Sequence, residues 1–178
     1  MTICCYDKIY RFGNVVKGQM ILNAYGELAS DLWMFLPERY EGIALGEFVI
    51  MPNHMHGIIV FDDELGLNPA KDREIHAALS SSLPIPNRTP LPNHSFPVME
   101  NIPKSKLSRR LGDVIGGYKS LVSNACLELY KEEDEWMGKM WQRNYWEEII
   151  WDDQAFINIS HYIIRNPRNW SEDDFFLG

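Results

Sequence analysis

The chain has 178 residues, 46% of them hydrophobic and 12% aromatic. That is enough for one globular core and short for two domains. Its formal net charge of −8 argues against nucleic-acid binding by bulk attraction, and no stretch approaches eighteen uninterrupted apolar residues; the opening MTICCYDKIYRF also lacks the features of a secretory leader, which points to a soluble cytoplasmic protein.

Residues 1 to 6 read as a strand carrying Cys4 and Cys5, which with Cys126 form no CxxC pair and are odd in number. They exclude a zinc knuckle and a disulfide framework and read as reduced core thiols. Gly18 to Leu22 is a second short extended segment after a turn at Gly13. A helix follows, capped by Asn23, with Tyr25, Leu28, Ala29, Leu32, Trp33 and Leu36 at helical spacing until Pro37 stops the pattern. Ile43 to Met51 reads as a strand, Pro52-Asn53 as a tight turn, and His54 to Phe61 as the returning strand.

Seven of the ten prolines fall between Phe61 and Lys104, so residues 62 to 107 read as a Pro-rich insertion or loop, with a short helix open at Lys71 to Ser80. From Ser108, Leu111, Val114, Ile115, Tyr118, Val122, Ala125 and Leu129 line one face of a helix of about twenty residues. Tyr145 to Ile150 reads as a strand, and Asp152 or Asp153 caps a last helix that runs to Asn166 before Pro167. The order of elements predicts an α+β fold with helices packed on an antiparallel sheet.

His54 and His56 are two apart on a strand, so their imidazoles share one face at a metal-ligand spacing. Polar alternation on a strand surface is the plain alternative. The flank MPNHMHGIIVF is apolar, however, and two unpartnered imidazoles are costly there. On the last helix Tyr162 and Asn166 lie four apart at the edge of an apolar stripe of Ala155, Phe156, Ile159 and Ile163. Tyr118 falls inside its helix's stripe and reads as core. For Tyr162 the competing role is an amphipathic filler whose hydroxyl finds water.

Cations are densest at Lys104, Lys106, Arg109 and Arg110, with Lys119, Arg143, Arg165 and Arg168 further on. They could follow a phosphate backbone while Trp141, Tyr145 and Trp146 stack unpaired bases. A solvated charged face and rings packed on the core are the ordinary alternatives. Gly116-Gly117 inside a helix costs on the order of 1 kcal/mol per glycine against alanine, for which close approach of DNA or tight packing is a reason.

Four ordered segments, MPNHMHGII, Val114 to Ser120, WQRNYWEEII and HYIIRNPRNW, together resemble the single-tyrosine HUH transposases, in particular the branch associated with repetitive extragenic palindromic sequences. The resemblance implies a ferredoxin-like sheet. It also implies that His54, His56 and Asn166 hold a divalent metal, Mg²⁺ or Mn²⁺, and that Tyr162 is the catalytic nucleophile. The substrate it implies is single-stranded or hairpin DNA, cleaved and rejoined through a 5′-phosphotyrosine by a monomer or homodimer. This sequence departs from the family in starting at the TIC strand and in carrying Glu148 and Trp151 where the family tends to be basic. Those departures favour a second expectation, a catalytically impaired protein that binds DNA hairpins. A metal hydrolase using water as its nucleophile is the third.

Overall fold

The computed structural model describes residues 1–61 and 110–177. The Pro-rich segment, with Lys104, Lys106, Arg109 and the expected short helix at Lys71 to Ser80, lies outside the described residues.

Strand β1 (Thr2–Cys4) leads through a 3₁₀ turn at Tyr6–Lys8 to a hairpin of β2 (Gly13–Val16) and β3 (Gln19–Leu22). Lys17 and Gly18, at the turn of that hairpin, have φ of 53° and 74°. Two left-handed residues are what a two-residue hairpin turn needs. The sequence reading found only the second arm, because Gly13, the first residue of β2 with a φ of 127°, reads as a turn.

Helix α1 (Ala24–Met34) starts where Asn23 accepts a hydrogen bond from the Gly26 N–H at 3.0 Å, and it buries Leu28, Ala29, Leu32 and Trp33. It ends before the expected stop. Pro37 instead sits in the first turn of α2 (Leu36–Arg39), where its missing N–H has no intrahelical partner to lose.

Strands β4 (Ile43–Ile50) and β5 (His54–Phe61) form the expected hairpin, closed by the Met51 N–H donating to the His54 carbonyl. The sheet has the order β1-β5-β4 and is antiparallel throughout. On the outer edge of β1, Thr2 exchanges both backbone hydrogen bonds with Trp146, at 2.8 and 3.0 Å. Among the described residues that bridge is all that forms of the expected strand at Tyr145 to Ile150.

Successive residues of β5 face opposite sides of this sheet. Met55 and Gly57 face α1 and α3 (Leu111–Glu132), which packs against α1 and buries Val114, Ile115, Tyr118, Val122, Ala125 and Cys126. The approach is close: a Cβ on Gly57 would meet Trp33 Cζ2 at 2.6 Å. Tyr118 is a core residue as expected, its ring edge-on to Trp33 at 5.2 Å and its hydroxyl donating to the Ala29 carbonyl. The architecture is therefore α+β, an antiparallel sheet with helices packed on it.

The other face carries His54 and His56 and is covered by α4 (Asp153–Arg165), which packs on β4 and β5 and continues as a 3₁₀ segment at Asn166–Glu172. Asp152 caps α4 by accepting from the Ala155 N–H at 2.7 Å. Of the expected apolar stripe only Ile163 is buried; the face turned to the sheet runs through Ser160, Ile163 and Asn166. This rotation leaves Tyr162 beside the histidine face rather than under it.

The two glycines of α3 separate cleanly. A Cβ on Gly116 meets nothing within 4 Å, whereas one on Gly117 would collide with the Tyr40 hydroxyl. Packing thus accounts for Gly117. Gly116→Ala is expected to raise stability by about 1 kcal/mol, and Gly117→Ala to lower it by about 1–3 kcal/mol through overpacking, both measured by urea denaturation.

Candidate metal and nucleophile site

The tight Pro52-Asn53 turn delivers His54 as the first residue of β5, fully buried, with His56 only 6% exposed two residues on. Their Nε2 atoms face each other at 3.1 Å. Each Nδ1 is engaged on its other side, that of His54 with Asn53 Oδ1 at 3.0 Å and that of His56 with Thr2 Oγ1 at 2.8 Å. Metal-binding histidines are oriented by just such partners on the second nitrogen.

Two further elements close on the pair. From α4, the Tyr162 hydroxyl lies 3.5 Å from His56 Nε2. From the end of the 3₁₀ segment, Asp173 places Oδ2 3.9 Å from His54 Nε2. Single donor atoms of His54, His56 and Asp173 all lie within 4.8 Å of one another. Asp173 is held in place by two donors, the Phe175 N–H on Oδ1 at 2.8 Å and the Asn166 amide on Oδ2 at 3.2 Å.

Burial pushes the imidazolium form of His56 down to about 4, with the Met1 ammonium adding to the effect; that of His54 falls further, through burial, then His56, then Lys8. The short approach of His54 to Asp173 is therefore no ion pair, because the ring is neutral. Two neutral imidazole nitrogens and a carboxylate oxygen converge on one volume, and the buried Oδ1 of Asn166 has no hydrogen-bond partner among the described residues. Such a donor set fits a divalent cation, and two imidazoles suit Mn²⁺ or a related transition ion better than Mg²⁺.

In metal-free protein the linkage runs one way. The unfolded chain binds protons at these histidines near pH 6.5 and the folded chain does not, so stability is full above that pH and falls as pH drops towards about 4. The loss from His56 alone is on the order of 3 kcal/mol, with a folded value of about 4. Urea denaturation with a chelator at about pH 7.5 and about pH 4.5 measures it. His56→Gln should flatten the decline.

Tyr162 is 54% exposed, and its hydroxyl pKa is raised by burial and by Asp173, against a lowering contribution from Asn166. Without a cation the phenol keeps its proton.

The expected site residues divide by place. His54, His56, Tyr162 and Asn166 come together, Asn166 at 3% exposure with its amide between the phenol and Asp173. Asp173 was missed. It lies beyond Pro167 in the acidic run SEDD, where nothing in spacing separates it from solvated charge. Arg143, Arg165 and Arg168 are exposed, and Arg110 is exposed at the start of α3. Lys119 turns its ammonium to the carbonyls of Gln142, Arg143 and Asn144, at 2.8 to 3.3 Å. Trp141 is buried against Phe12 and donates to the Lys119 carbonyl, so its ring offers no open stacking face. Tyr145 is half-buried, and Trp146 is 56% exposed with its ring 6.1 Å from Phe175.

Among the described residues no helix is long and apolar enough to cross a membrane. No family profile matches the chain, and no solved structure matches it. The chain is similar to an uncharacterized protein of Haemophilus influenzae, 29% identical over 177 residues, a match that covers 99% of this chain and 83% of that protein.

Proposed function

We propose that this protein is a metal-dependent, single-strand DNA endonuclease and strand transferase of the transposase type, acting in the cytoplasm on hairpin DNA with Tyr162 as its nucleophile. The observation that carries the reading is the placement of the Tyr162 hydroxyl 3.5 Å from His56 Nε2, beside a buried donor set of His54, His56 and Asp173. A phenol at the mouth of such a donor set, rather than in its interior, supports a role in meeting a phosphate.

A divalent cation bound there would polarise the scissile phosphate and offset the negative charge that develops on it. The chain's own groups do the rest. Tyr162 forms a bond from Oη to phosphorus as the P–O3′ bond breaks; the phenol gives its proton to solvent and the departing O3′ takes one from solvent, leaving a 5′-phosphotyrosine and a free 3′-hydroxyl. Because one phosphodiester replaces another, attack by a 3′-hydroxyl can reverse the step and rejoin strands without a nucleotide cofactor. Asn166 steadies both the phenol and Asp173. Arg143, Arg165 and Arg168 supply exposed cations for the backbone, and Trp146 an exposed ring for an unpaired base.

A second reading, a hairpin-binding protein without strand transfer, is favoured by the exposed Glu147 and Glu148 near the Met1 ammonium and by the engagement of Lys119 with backbone carbonyls. The deciding experiment is incubation with labelled single-stranded hairpins and Mn²⁺ or Mg²⁺, followed by denaturing electrophoresis. A denaturant-resistant adduct supports strand transfer. Binding with neither adduct nor cleavage supports the second reading.

A further inference from the structure

We infer that Asn53 is the positioning residue of the site: its side-chain amide holds His54 as the Nδ1–H tautomer, with the Nε2 lone pair turned to His56 and Asp173, and also anchors the segment that carries Asp173. The metal consequence of this assignment rests on the function proposed above; the tautomer does not.

Asn53 is fully buried in the turn before β5. Its Nδ2 donates to two backbone carbonyls, those of Lys8 at 3.0 Å and Phe175 at 2.7 Å. A carbonyl can only accept, so these contacts fix which end of the amide is nitrogen. Oδ1 must then face His54 Nδ1, 3.0 Å away, and an amide oxygen can only accept. The proton between them belongs to His54. A neutral imidazole with hydrogen on Nδ1 carries its lone pair on Nε2, the atom that faces His56 Nε2 and Asp173 Oδ2.

His56 follows from His54: with His54 Nε2 bare, the 3.1 Å contact between the two Nε2 atoms is a hydrogen bond when His56 carries its proton on Nε2, and the Thr2 hydroxyl, 2.8 Å away, then donates to His56 Nδ1. Asn53 thus sets the tautomer of His54 directly and that of His56 through it. The same amide reaches the third donor. The Phe175 main chain is held at both its polar groups, the carbonyl accepting from Asn53 Nδ2 and the N–H donating to Asp173 Oδ1. Asn53 thereby ties the β4–β5 turn, the Tyr6–Lys8 turn and the Asp173 segment to one side chain.

The test is a long-range ¹H–¹⁵N spectrum of metal-free protein labelled at histidine, near neutral pH, with Mn²⁺ titration calorimetry beside it. Wild-type protein should show His54 protonated on Nδ1 and bare on Nε2. Asn53→Ala should mix the tautomers and weaken Mn²⁺ binding by about 10- to 100-fold, the usual cost of losing a partner of a metal-binding histidine. An Nε2–H signal for His54 in the wild type overturns the assignment even if the alanine variant does not fold, and so does an unchanged pattern in a folded Asn53→Ala. Wild-type protein that shows the expected tautomer yet binds no Mn²⁺ defeats the metal reading and leaves the role of Asn53 in orienting His54 standing.

Discussion

Tyr162→Phe is expected to eliminate the covalent protein–DNA adduct while leaving hairpin affinity and the fold in place. The substitution removes one oxygen from a side chain that is 54% exposed and whose ring packs edge-on to His56 at 5.2 Å. Phenylalanine retains that ring contact, so the change in unfolding free energy should stay within about 0.5 kcal/mol. Strand cleavage should fall by on the order of 10³-fold or more, because the bond-forming atom itself is gone. The size of the residual rate decides between mechanisms. Cleavage at an undiminished rate would mean that water attacks, in which case the donor set serves a hydrolase and Tyr162 is a bystander. An adduct that survives in Tyr162→Phe would place the nucleophile elsewhere.

Mn²⁺ is expected to stabilise the wild-type protein against heat and to lose most of that effect in Asp173→Asn. A ligand that binds the folded state alone contributes about 2.7 kcal/mol at a hundredfold excess over Kd. For a chain of this length that corresponds to a rise in Tm of roughly 5–10 °C. Asp173 supplies the one formal negative charge among the three converging donors, and its carboxylate is also fixed by Asn166 and the Phe175 N–H. Replacing it by asparagine preserves shape and removes charge. The comparison also assigns the third donor. If Asp173→Asn keeps the full Mn²⁺ shift while Asn166→Ala loses it, the oxygen donor is the amide on α4 and the carboxylate only orients it. Differential scanning fluorimetry with and without Mn²⁺ reads both outcomes.

Local pattern carried much of the fold. The α1 start at Asn23, the β4–β5 hairpin, the buried face of α3 and the cap at Asp152 are each set by residues within a few positions of one another, which is the range over which capping, alternation and helical periodicity act. Two expectations failed because their outcome depends on distant partners. Tyr145 to Ile150 has the composition of a strand, but a strand needs a partner, and among the described residues only Trp146 pairs, with Thr2. Trp141 looks like a stacking ring in WQRNYW, yet α3 and Phe12 enclose it.

The site divides along the same line. The sequence by itself determined that His54 and His56 share one face of a strand, since alternation is a property of the backbone, and that Tyr162 and Asn166 share an edge of a helix, since four residues make about one turn. Only the tertiary structure decided that the two pairs meet, that both imidazoles are held neutral by burial, and that Asp173 joins them. The reason is physical: burial and convergence depend on how α4 and its 3₁₀ extension pack across the sheet, 106 residues along the chain from His56 in the case of Tyr162. No spacing within the sequence encodes a contact of that range.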